Sequence, residues 1–364
     1  MRKLPIAAIA LLSLAATHAA WAAERTGEEI YAATCASCHG SDGRGVPAAQ
    51  TGLSIKPRDF TDCKRSTVEP DRDWESVIAE GGPARSFHRV MPAFGEVLSE
   101  DERHAAMVYV RGFCPDPKWP RGDLNFPRAL VTEKAFVEDE FIVSSGMAVR
   151  SPRNVDSQLI YEQRFLRRQQ FEIRVPFSVL RDDQGARQAG IGDVAFALKS
   201  ALLASYEQGS IFTIGAEAAF PTGNKDKGLG RGVVLFEPFL AYGQALPWES
   251  FLQAQAGAEI PAKETAGVDN EGFVAAVLGT TIFYGRYGRA FSPMVEAFVA
   301  RELTSDAPTT LDLIPQIQIS VSRRQHILAC LGGRIPTLKR DGRVTQVMAY
   351  VLWDWFDGGL LEGW

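Results

Sequence analysis

The sequence contains few cysteines and few histidines, five of each among 364 residues, and it carries no excess of positive charge. A formal net charge of −5 gives no electrostatic footprint for a nucleic-acid partner. We find no nucleophile–histidine–acid triad, no phosphate-binding glycine loop and no second set of clustered metal ligands. No stretch after the first twenty residues is apolar and long enough for a transmembrane helix. The chemistry must therefore come from a small number of residues.

The amino terminus has the three parts of a secretory signal. Arg2 and Lys3 are followed by an apolar run over residues 4–16 and then by the small-residue pattern of residues 20–22. The alternative is an uncleaved membrane anchor, but a bilayer-spanning helix needs roughly 20 apolar residues. We therefore expect a signal peptide over residues 1–22, and a mature chain that begins near Ala23 outside the cytoplasm.

Cys35, Cys38 and His39 form the pattern C-x-x-C-H, which is typical of covalent c-type haem attachment. Two thiols at this spacing reach the two vinyl groups of the porphyrin, and the adjacent imidazole is then placed under the iron as its proximal ligand. A zinc site would need a second ligand pair, and a redox dithiol would need a βαβ context. We predict one covalently attached haem c.

The second axial ligand is expected between the last two helices of this region, where Met91 begins the segment MPAFG. A thioether is a soft ligand that favours reduced iron, and the following proline restricts the loop. His88 is the rival ligand. Two further possibilities remain: Met91 could be only a core residue, or the iron could have an open site for a small gas. We predict Met91 as the distal ligand.

Three cysteines lie outside the haem motif. Cys63 and Cys114 belong to the same region and could form a disulfide, which export permits, or remain two separate buried thiols. Cys330 lies in a predicted strand without an evident partner. His104 and His326 are isolated histidines, for which a surface or structural role is expected.

Residues 24–115 resemble a class I cytochrome c domain. The residues that carry the resemblance are Gly27, Ile30, Tyr31, CASCHG at 35–40, PRDFTD at 57–62, MPAFG at 91–95 and Tyr109. The resemblance implies a small helical fold around one low-spin haem, crossing of the first and last helices, and one-electron transfer. Capping-box sequences predict helices that begin near residues 26 and 99, and residues 71–80 predict another helix before two glycines.

The region 116–137 is interrupted by prolines and is expected to be an ordered linker that packs on another part of the chain. From residue 138 to residue 364, polar and apolar residues alternate, as in Phe171, Ile173 and Val175 against Glu172 and Arg174. Such period-two runs predict half-buried strands.

We predict an antiparallel β-barrel of about twelve strands, joined alternately by short turns near residues 167, 207, 246, 287 and 323 and by longer polar loops. An even strand number with short turns at one end and long loops at the other is typical of outer-membrane barrels. One face of the strands is apolar, and the other carries the charged residues Glu162, Arg164, Glu172, Arg174, Glu217, Glu259, Glu296 and Arg334. The aromatic last strand is predicted over residues 346–356, and the chain ends in Trp364. The alternative is a soluble β-sandwich or lipocalin-like barrel.

The fold class is therefore two-part, a small all-α haem domain followed by a β-barrel. The whole chain resembles cytochrome–porin fusion proteins of the outer membrane, although its haem domain is larger and its barrel smaller. The resemblance implies an electron carrier in contact with outer-membrane lipid and with a periplasmic or extracellular redox partner. Because the sequence has no catalytic constellation beyond the redox haem, we do not expect an enzyme. The haem domain is expected on the periplasmic side or in the barrel mouth. The alternative function is a solute channel in which the cytochrome is a plug, sensor or docking module.

Overall fold

The structure is a computed structural model that describes residues 25–355, except residue 117 and the segments 151–153, 182–185 and 265–266. The signal peptide of residues 1–22, the end of the predicted last strand at Phe356 and the terminal Trp364 lie outside the described residues. Within that range the chain forms a helical domain followed by a β-barrel, as the sequence predicts.

The helical domain contains α1 (Gly27–Thr34), α2 (Ala36–His39), α3 (Ala48–Thr51), α4 (Cys63–Ser66), α5 (Asp71–Glu80) and α6 (Glu100–Arg111). Short 3-10 helices lie at Gly82–Arg85, between α5 and α6, and at Gly122–Leu124, after α6. Both predicted capping boxes form, at Thr26 with Glu29 and at Ser99 with Glu102. None of the helices in the described residues is both long and apolar enough to span a membrane.

Helices α1 and α6 cross at close range, as the class I resemblance implies. A Cβ atom on Gly27 would lie 2.1 Å from the carbonyl oxygen of Ala105, so only glycine permits this approach. The crossing buries Ile30 and Tyr31 of α1 against Ala106 and Val110 of α6. The first and last helices therefore form the frame of the domain.

Cys63 at the start of α4 is joined to Cys114, just beyond α6, with the two Cα atoms 5.3 Å apart. The bridge joins the start of α4 to the end of the helical domain. A link of this kind stabilises a small domain mainly by restricting its unfolded chain.

The barrel strands are β1 (Glu140–Ala148), β2 (Val155–Arg164), β3 (Gln169–Arg181), β4 (Arg187–Ile191), β5 (Val194–Ser205), β6 (Ser210–Phe220), β7 (Leu235–Leu246), β8 (Ser250–Pro261), β9 (Glu271–Thr280), β10 (Ile282–Tyr284), β11 (Arg289–Glu302), β12 (Thr310–Ser320), β13 (Ile327–Leu338) and β14 (Gln346–Asp354). A further 3-10 helix, Lys225–Lys227, lies in the loop before β7. Neighbouring strands of the sheet pair in antiparallel fashion, and β1 pairs with β14, which closes the barrel.

Among the described residues, these fourteen segments occupy twelve strand positions around the barrel. β4 and β5 both pair with β3 and count as one strand, and β9 and β10 likewise both pair with β11. The sequence did not predict the break between β4 and β5. It occurs where the Asp193 carboxylate turns away to accept hydrogen bonds from the backbone amides of Gly223 and Arg231. The last strand extends to Asp354, and the backbone amide of Trp355 continues its pairing with the first strand by donating to the carbonyl of Asp139.

The two faces of the barrel wall have opposite chemistry. The outer face exposes large apolar side chains along every part of its circumference, among them Val143, Leu159, Phe177, Leu198, Ile214, Leu240, Val274, Leu278, Val295, Leu331 and Val351. The inner face buries polar ones, among them Glu140, Glu162, Gln170, Glu172, Gln253, Gln255, Glu296 and Gln316. A soluble protein has the reverse arrangement, so this surface fits a hydrocarbon environment.

The linker does not lie on the surface but fills the barrel lumen. Phe126 and Phe136 are buried there in one apolar cluster with Ile211, Phe239 and Phe251 of the barrel wall. Phe126 stacks on Phe251 with ring centroids 5.7 Å apart. This apolar layer closes the barrel near its short-turn end.

Inward polar side chains of the barrel satisfy the backbone of the linker. Donors on the wall reach linker carbonyls, and acceptors on the wall receive linker amides. The pairs are Gln253 with Pro127, Tyr350 with Arg128, Leu130 with Gln316, Thr132 with Glu296, Glu133 with Gln255, Thr213 with Ala135, and Glu138 with Gln170. A buried backbone group without a partner is costly, so these pairs fix the path of the linker.

The helical domain rests on the short-turn end of the barrel. Each of the five short turns contributes at least one polar contact to the domain or to the start of the linker. The contacts are Arg168 to the carbonyl of Lys118, Tyr206 to Asp71, Glu249 to Arg72, Arg286 to Glu80, and His326 to Glu69. The position of the domain is therefore set by turns that lie far apart along the chain.

We predict that the packing of the linker inside the barrel lumen depends on Arg128. Its guanidinium lies 2.7 Å from Glu140 and 2.8 Å from Glu162, and all three side chains are buried. Replacing Arg128 by methionine would leave buried carboxylates without their counterion, so the free energy of unfolding should fall by about 3–5 kcal/mol. Urea unfolding of the protein in lipid vesicles measures this change.

The matched control is Arg187→Met, since Arg187 is exposed on β4. An equal effect of the two substitutions on the free energy of unfolding would contradict the prediction.

Candidate functional site

Cys35, Cys38 and His39 are brought together by one turn of helix. α2 follows α1 directly, with the amides of Cys38 and His39 donating to the carbonyl of Cys35 at 3.1 and 2.9 Å. The following loop is held close, because Gly45 donates to the carbonyl of His39 at 2.8 Å. Gly45 has a φ of 76°, and a Cβ atom there would lie 2.4 Å from the carbonyl oxygen of Pro57. The loop therefore packs on the segment that carries PRDFTD.

The His39 ring is oriented from two sides. Phe60 stacks on it with a centroid separation of 4.5 Å, and its Nδ1 atom lies 3.5 Å from the carbonyl oxygen of Arg58. Burial lowers the pKa of His39, although the Arg58 carbonyl opposes this shift. Burial therefore favours the neutral ring, which is the form in which an imidazole nitrogen can ligate a metal.

The Met91 segment forms another wall of the same cavity. It is pinned to α5, since Phe94 donates to the carbonyl of Ile78 and Gly95 to that of Ala79, each at 2.9 Å. Gly82 donates to the carbonyl of Met91 at 3.0 Å, which closes the loop on itself. The structure thus brings Met91 to the cavity that contains Cys35, Cys38 and His39.

The rival residue His88 lines the same cavity but is exposed. Its Nδ1 atom accepts a hydrogen bond from the amide of Val90 at 3.2 Å, and its Nε2 atom lies 3.5 Å from the hydroxyl of Ser54. Using His88 as a ligand would require breaking the contact at one of these nitrogens. The contacts described for Met91 in its loop are made by its backbone, so its sulfur can bind a metal without breaking them. This difference favours Met91 as the ligand.

The cavity has a volume of about 1080 Å³. Its walls are mainly apolar and include Leu53, Phe60, Trp74, Val77, Ile78, Phe94, Ala106 and Val110. A flat porphyrin needs a large apolar slot of this kind, with the thiols and the proximal imidazole at one wall.

Two buried donors in the cavity wall support the fit of a haem. Within the part of the chain that the structure describes, the indole Nε1 of Trp74 and the Nε of Arg85 are buried without a hydrogen-bond partner. Unpaired buried donors are rare and need an explanation. The carboxylates of a haem would supply acceptors for donors of this kind, and the apolar walls would contact its ring. The residues present therefore fit the group.

The barrel also contributes to this cavity, through Arg324 and His326 of the turn between β12 and β13. His326 is buried, with its Nε2 atom 3.1 Å from Glu69 and its Nδ1 atom 3.2 Å from Asp354. Burial alone would raise the pKa of Glu69, but the His326 imidazole holds it below its usual range. The structural role expected for His326 agrees with these contacts.

Sequence reasoning missed Arg324, and it missed the position of His326 at the cavity. Glu69 and His326 are 257 residues apart, and no local pattern connects a barrel turn with a haem pocket. His104 is exposed and hydrogen-bonded to Glu75, which fits the surface role predicted for it. Cys330 is buried in β13, where its sulfur lies 3.6 Å from the amide oxygen of Gln316.

Comparison with protein families gives one match. Residues 22–110 match the family described as cytochrome c oxidase, cbb3-type, subunit III. The match covers the helical domain and ends before the linker. A search of curated proteins finds no match.

Comparison with solved structures gives similarity over the barrel part. An outer-membrane channel from Pseudomonas putida F1 has a TM-score of 0.45 at 12% identity, covering 63% of this chain and 99% of that one. The NanC porin has a TM-score of 0.43 at 9% identity, covering 59% and 98%. The KdgM porin has a TM-score of 0.38 at 8% identity, covering 59% and 99%.

The family match and the strand pairing described above identify the two parts of the chain independently. The chain therefore combines a helical domain, whose residues 22–110 match the model of the cbb3-type cytochrome c oxidase subunit III family, with a closed antiparallel β-barrel of twelve strands among the described residues, which is consistent with a cytochrome–porin fusion.

Proposed function

We propose that the protein carries one electron at a time through a single haem c, and that its barrel anchors this haem at the bacterial outer membrane. The observation that carries the proposal is the convergence of Cys35, Cys38, His39 and Met91 on one cavity. These residues supply two thiols, an imidazole and a thioether, which together are a complete set for attaching and ligating a c-type haem.

Each residue has a distinct role in this proposal. Cys35 and Cys38 form the thioether links, His39 is the proximal ligand and Met91 is the distal ligand. Haem c supplies reversible exchange of one electron between ferric and ferrous iron. The protein fixes the ligands with the Phe60 ring and with the loop bonds at Met91, so that little rearrangement accompanies the change of charge.

The location is inferred from the barrel surface. The outer face is apolar over the middle of the strands, and the inner face is polar, as in barrels that span an outer membrane. Such barrels have short turns on the periplasmic side. The haem domain rests on the short-turn end, so we place it in the periplasm, where its donor and its acceptor are redox partners from the same side.

The filled lumen favours an anchor over the alternative of a solute channel. The linker occupies the lumen, and both its apolar residues and its backbone groups are paired with the wall. Opening a path for solutes would break these contacts together. We therefore assign the barrel a structural role in this function.

We expect the thiol count to report the covalent haem. The five cysteines would divide into two in thioether links, two in the Cys63–Cys114 bridge, and Cys330 alone. Denatured protein from cells that assemble c-type cytochromes should therefore take up one alkyl group without reductant and three after reduction, measured by mass spectrometry, and it should keep its visible absorption.

Other numbers of alkyl groups taken up would contradict one part of the proposal each. Uptake of three groups without reductant and five after reduction, with loss of the chromophore, would overturn the haem proposal. Uptake of three groups in both conditions would overturn only the bridge between Cys63 and Cys114.

The axial ligand is tested by comparing Met91→Ala with His88→Ala. Ferric haem with a methionine ligand has a weak absorption band at the red edge of the visible spectrum. We expect Met91→Ala to abolish this band and to lower the reduction potential, because a thioether stabilises reduced iron. His88→Ala should leave both unchanged. If His88 were the ligand, the wild-type protein would lack this band, and His88→Ala rather than Met91→Ala would change the spectrum and the reduction potential.

A further inference from the structure

The loop of residues 82–91, which ends at Met91, lies between the rest of its own domain and the barrel. The segment 82–91 closes on itself, with Gly82 donating to the carbonyl of Met91 at 3.0 Å and Phe87 donating to the carbonyl of Gly82 at 2.9 Å. A Cβ atom on Gly82 would lie 2.4 Å from the carbonyl oxygen of His88, so the loop is tightly wound. The outer side of this loop faces the barrel.

Arg324, in the turn between β12 and β13, covers that outer side. Its guanidinium carbon lies 4.3 Å from the centroid of the Phe87 ring, and its Nε donates to the carbonyl of Arg85 at 3.1 Å. Arg324 therefore contacts the backbone of the loop six residues before Met91 and a side chain of the loop four residues before it. A cation stacked on an aromatic ring stabilises the pair, and more so when both are withdrawn from water.

A second contact fixes the same loop to the neighbouring turn. Arg85 is buried, and its guanidinium donates to the carbonyl of Tyr287 and, at 2.7 Å, to the carboxylate of Asp73 on α5. Gln325 donates to the carbonyl of Gly288 at 3.1 Å, which ties the two barrel turns together. The barrel thus presents a rigid pair of turns to the methionine loop.

We infer that Arg324 is a positioning residue for the distal haem ligand, so that the barrel holds the iron–methionine bond closed. This inference rests on the proposed function, since it takes Met91 as the distal ligand. Arg324 acts through Phe87 and Arg85 and does not itself bind the iron. The position of Met91 then depends on the contact between the helical domain and the barrel turn that carries Arg324.

The physical argument concerns opening of the loop. An external ligand can reach ferric iron only while the thioether has moved away, so its association rate reports how often the loop opens. Loss of a cation–ring contact and one hydrogen bond removes roughly 1–2 kcal/mol from the closed state. Because 1.4 kcal/mol corresponds to a factor of ten, the open population should rise about tenfold.

The test is the association rate of imidazole with the ferric full-length protein in detergent or vesicles. Imidazole is chosen because a largely neutral ligand responds little to the loss of one positive charge. We expect Arg324→Ala to bind imidazole about tenfold faster and to show a weaker red-edge band. The matched control is Arg323→Ala, since Arg323 is adjacent and exposed, and it should behave as the wild type.

Two further variants keep the inference falsifiable. Arg324→Lys retains the charge but loses the planar stacking and the Nε hydrogen bond, so it should bind imidazole at an intermediate rate. Phe87→Leu removes the same contact from the other partner and decides the case if Arg324→Ala does not fold, as judged by haem content and barrel mobility on gels. It should also accelerate imidazole binding.

Equal rates for Arg324→Ala, Phe87→Leu and Arg323→Ala would overturn this inference while leaving the proposed function intact, provided that Met91→Ala still abolishes the band. If Met91→Ala keeps the band, the proposed ligand itself is wrong, and the failure belongs to the proposed function. The two failures are therefore distinguishable.

Discussion

The pairing of the linker backbone with inward side chains of the barrel is the constraint on which the rest of the structure depends. A chain that enters a barrel loses water from every amide and carbonyl, and each group must find another partner. Here Gln255, Gln316 and Glu296 accept linker amides, while Tyr350 and Gln253 donate to linker carbonyls. The inner wall is polar because it must pair with this segment, and the same hydrogen bonds hold the linker inside the lumen.

This constraint also determines where the haem domain lies. The linker leaves the lumen at the short-turn end, so the domain that precedes it can only rest there. All five short turns then contact the domain or the start of the linker, with Glu69 meeting His326 and Asp71 meeting Tyr206. The domain is therefore not a freely tethered module. The barrel supplies part of the cavity wall, and the turn that carries Arg324 and His326 belongs to both parts.

Much of this architecture could be predicted from the sequence, because the signals are local. The C-x-x-C-H pattern, the capping boxes and the period-two alternation each act within a few residues, and they gave the helical domain and the twelve-strand barrel with its short and long connections. The order of the two parts followed as well. Prolines in the linker indicated an ordered segment, but they gave no information on its partner.

The remaining features arise from contacts between residues far apart in sequence. The linker contacts strands over the whole circumference of the barrel, and its burial follows from closure of β1 on β14. The break between β4 and β5 depends on Asp193 meeting the loop before β7. Arg324 reaches Arg85 across 239 residues. Neither the composition nor the spacing of residues along the chain indicates these pairs, so the contacts could not be predicted from the sequence.

If the barrel only anchors the haem, as proposed, the haem is accessible from one side of the membrane and the barrel passes no electrons across it. Proteoliposomes with the protein in mixed orientation and a membrane-impermeant reductant outside test it directly. Trp248, at a short turn, is 91% exposed, so a Trp248→Cys variant can be labelled from outside to count the molecules whose short-turn end faces the reductant. The account predicts that the fraction of haem reduced equals the labelled fraction. Rapid reduction of all the haem, although part of the protein remains unlabelled, would contradict it.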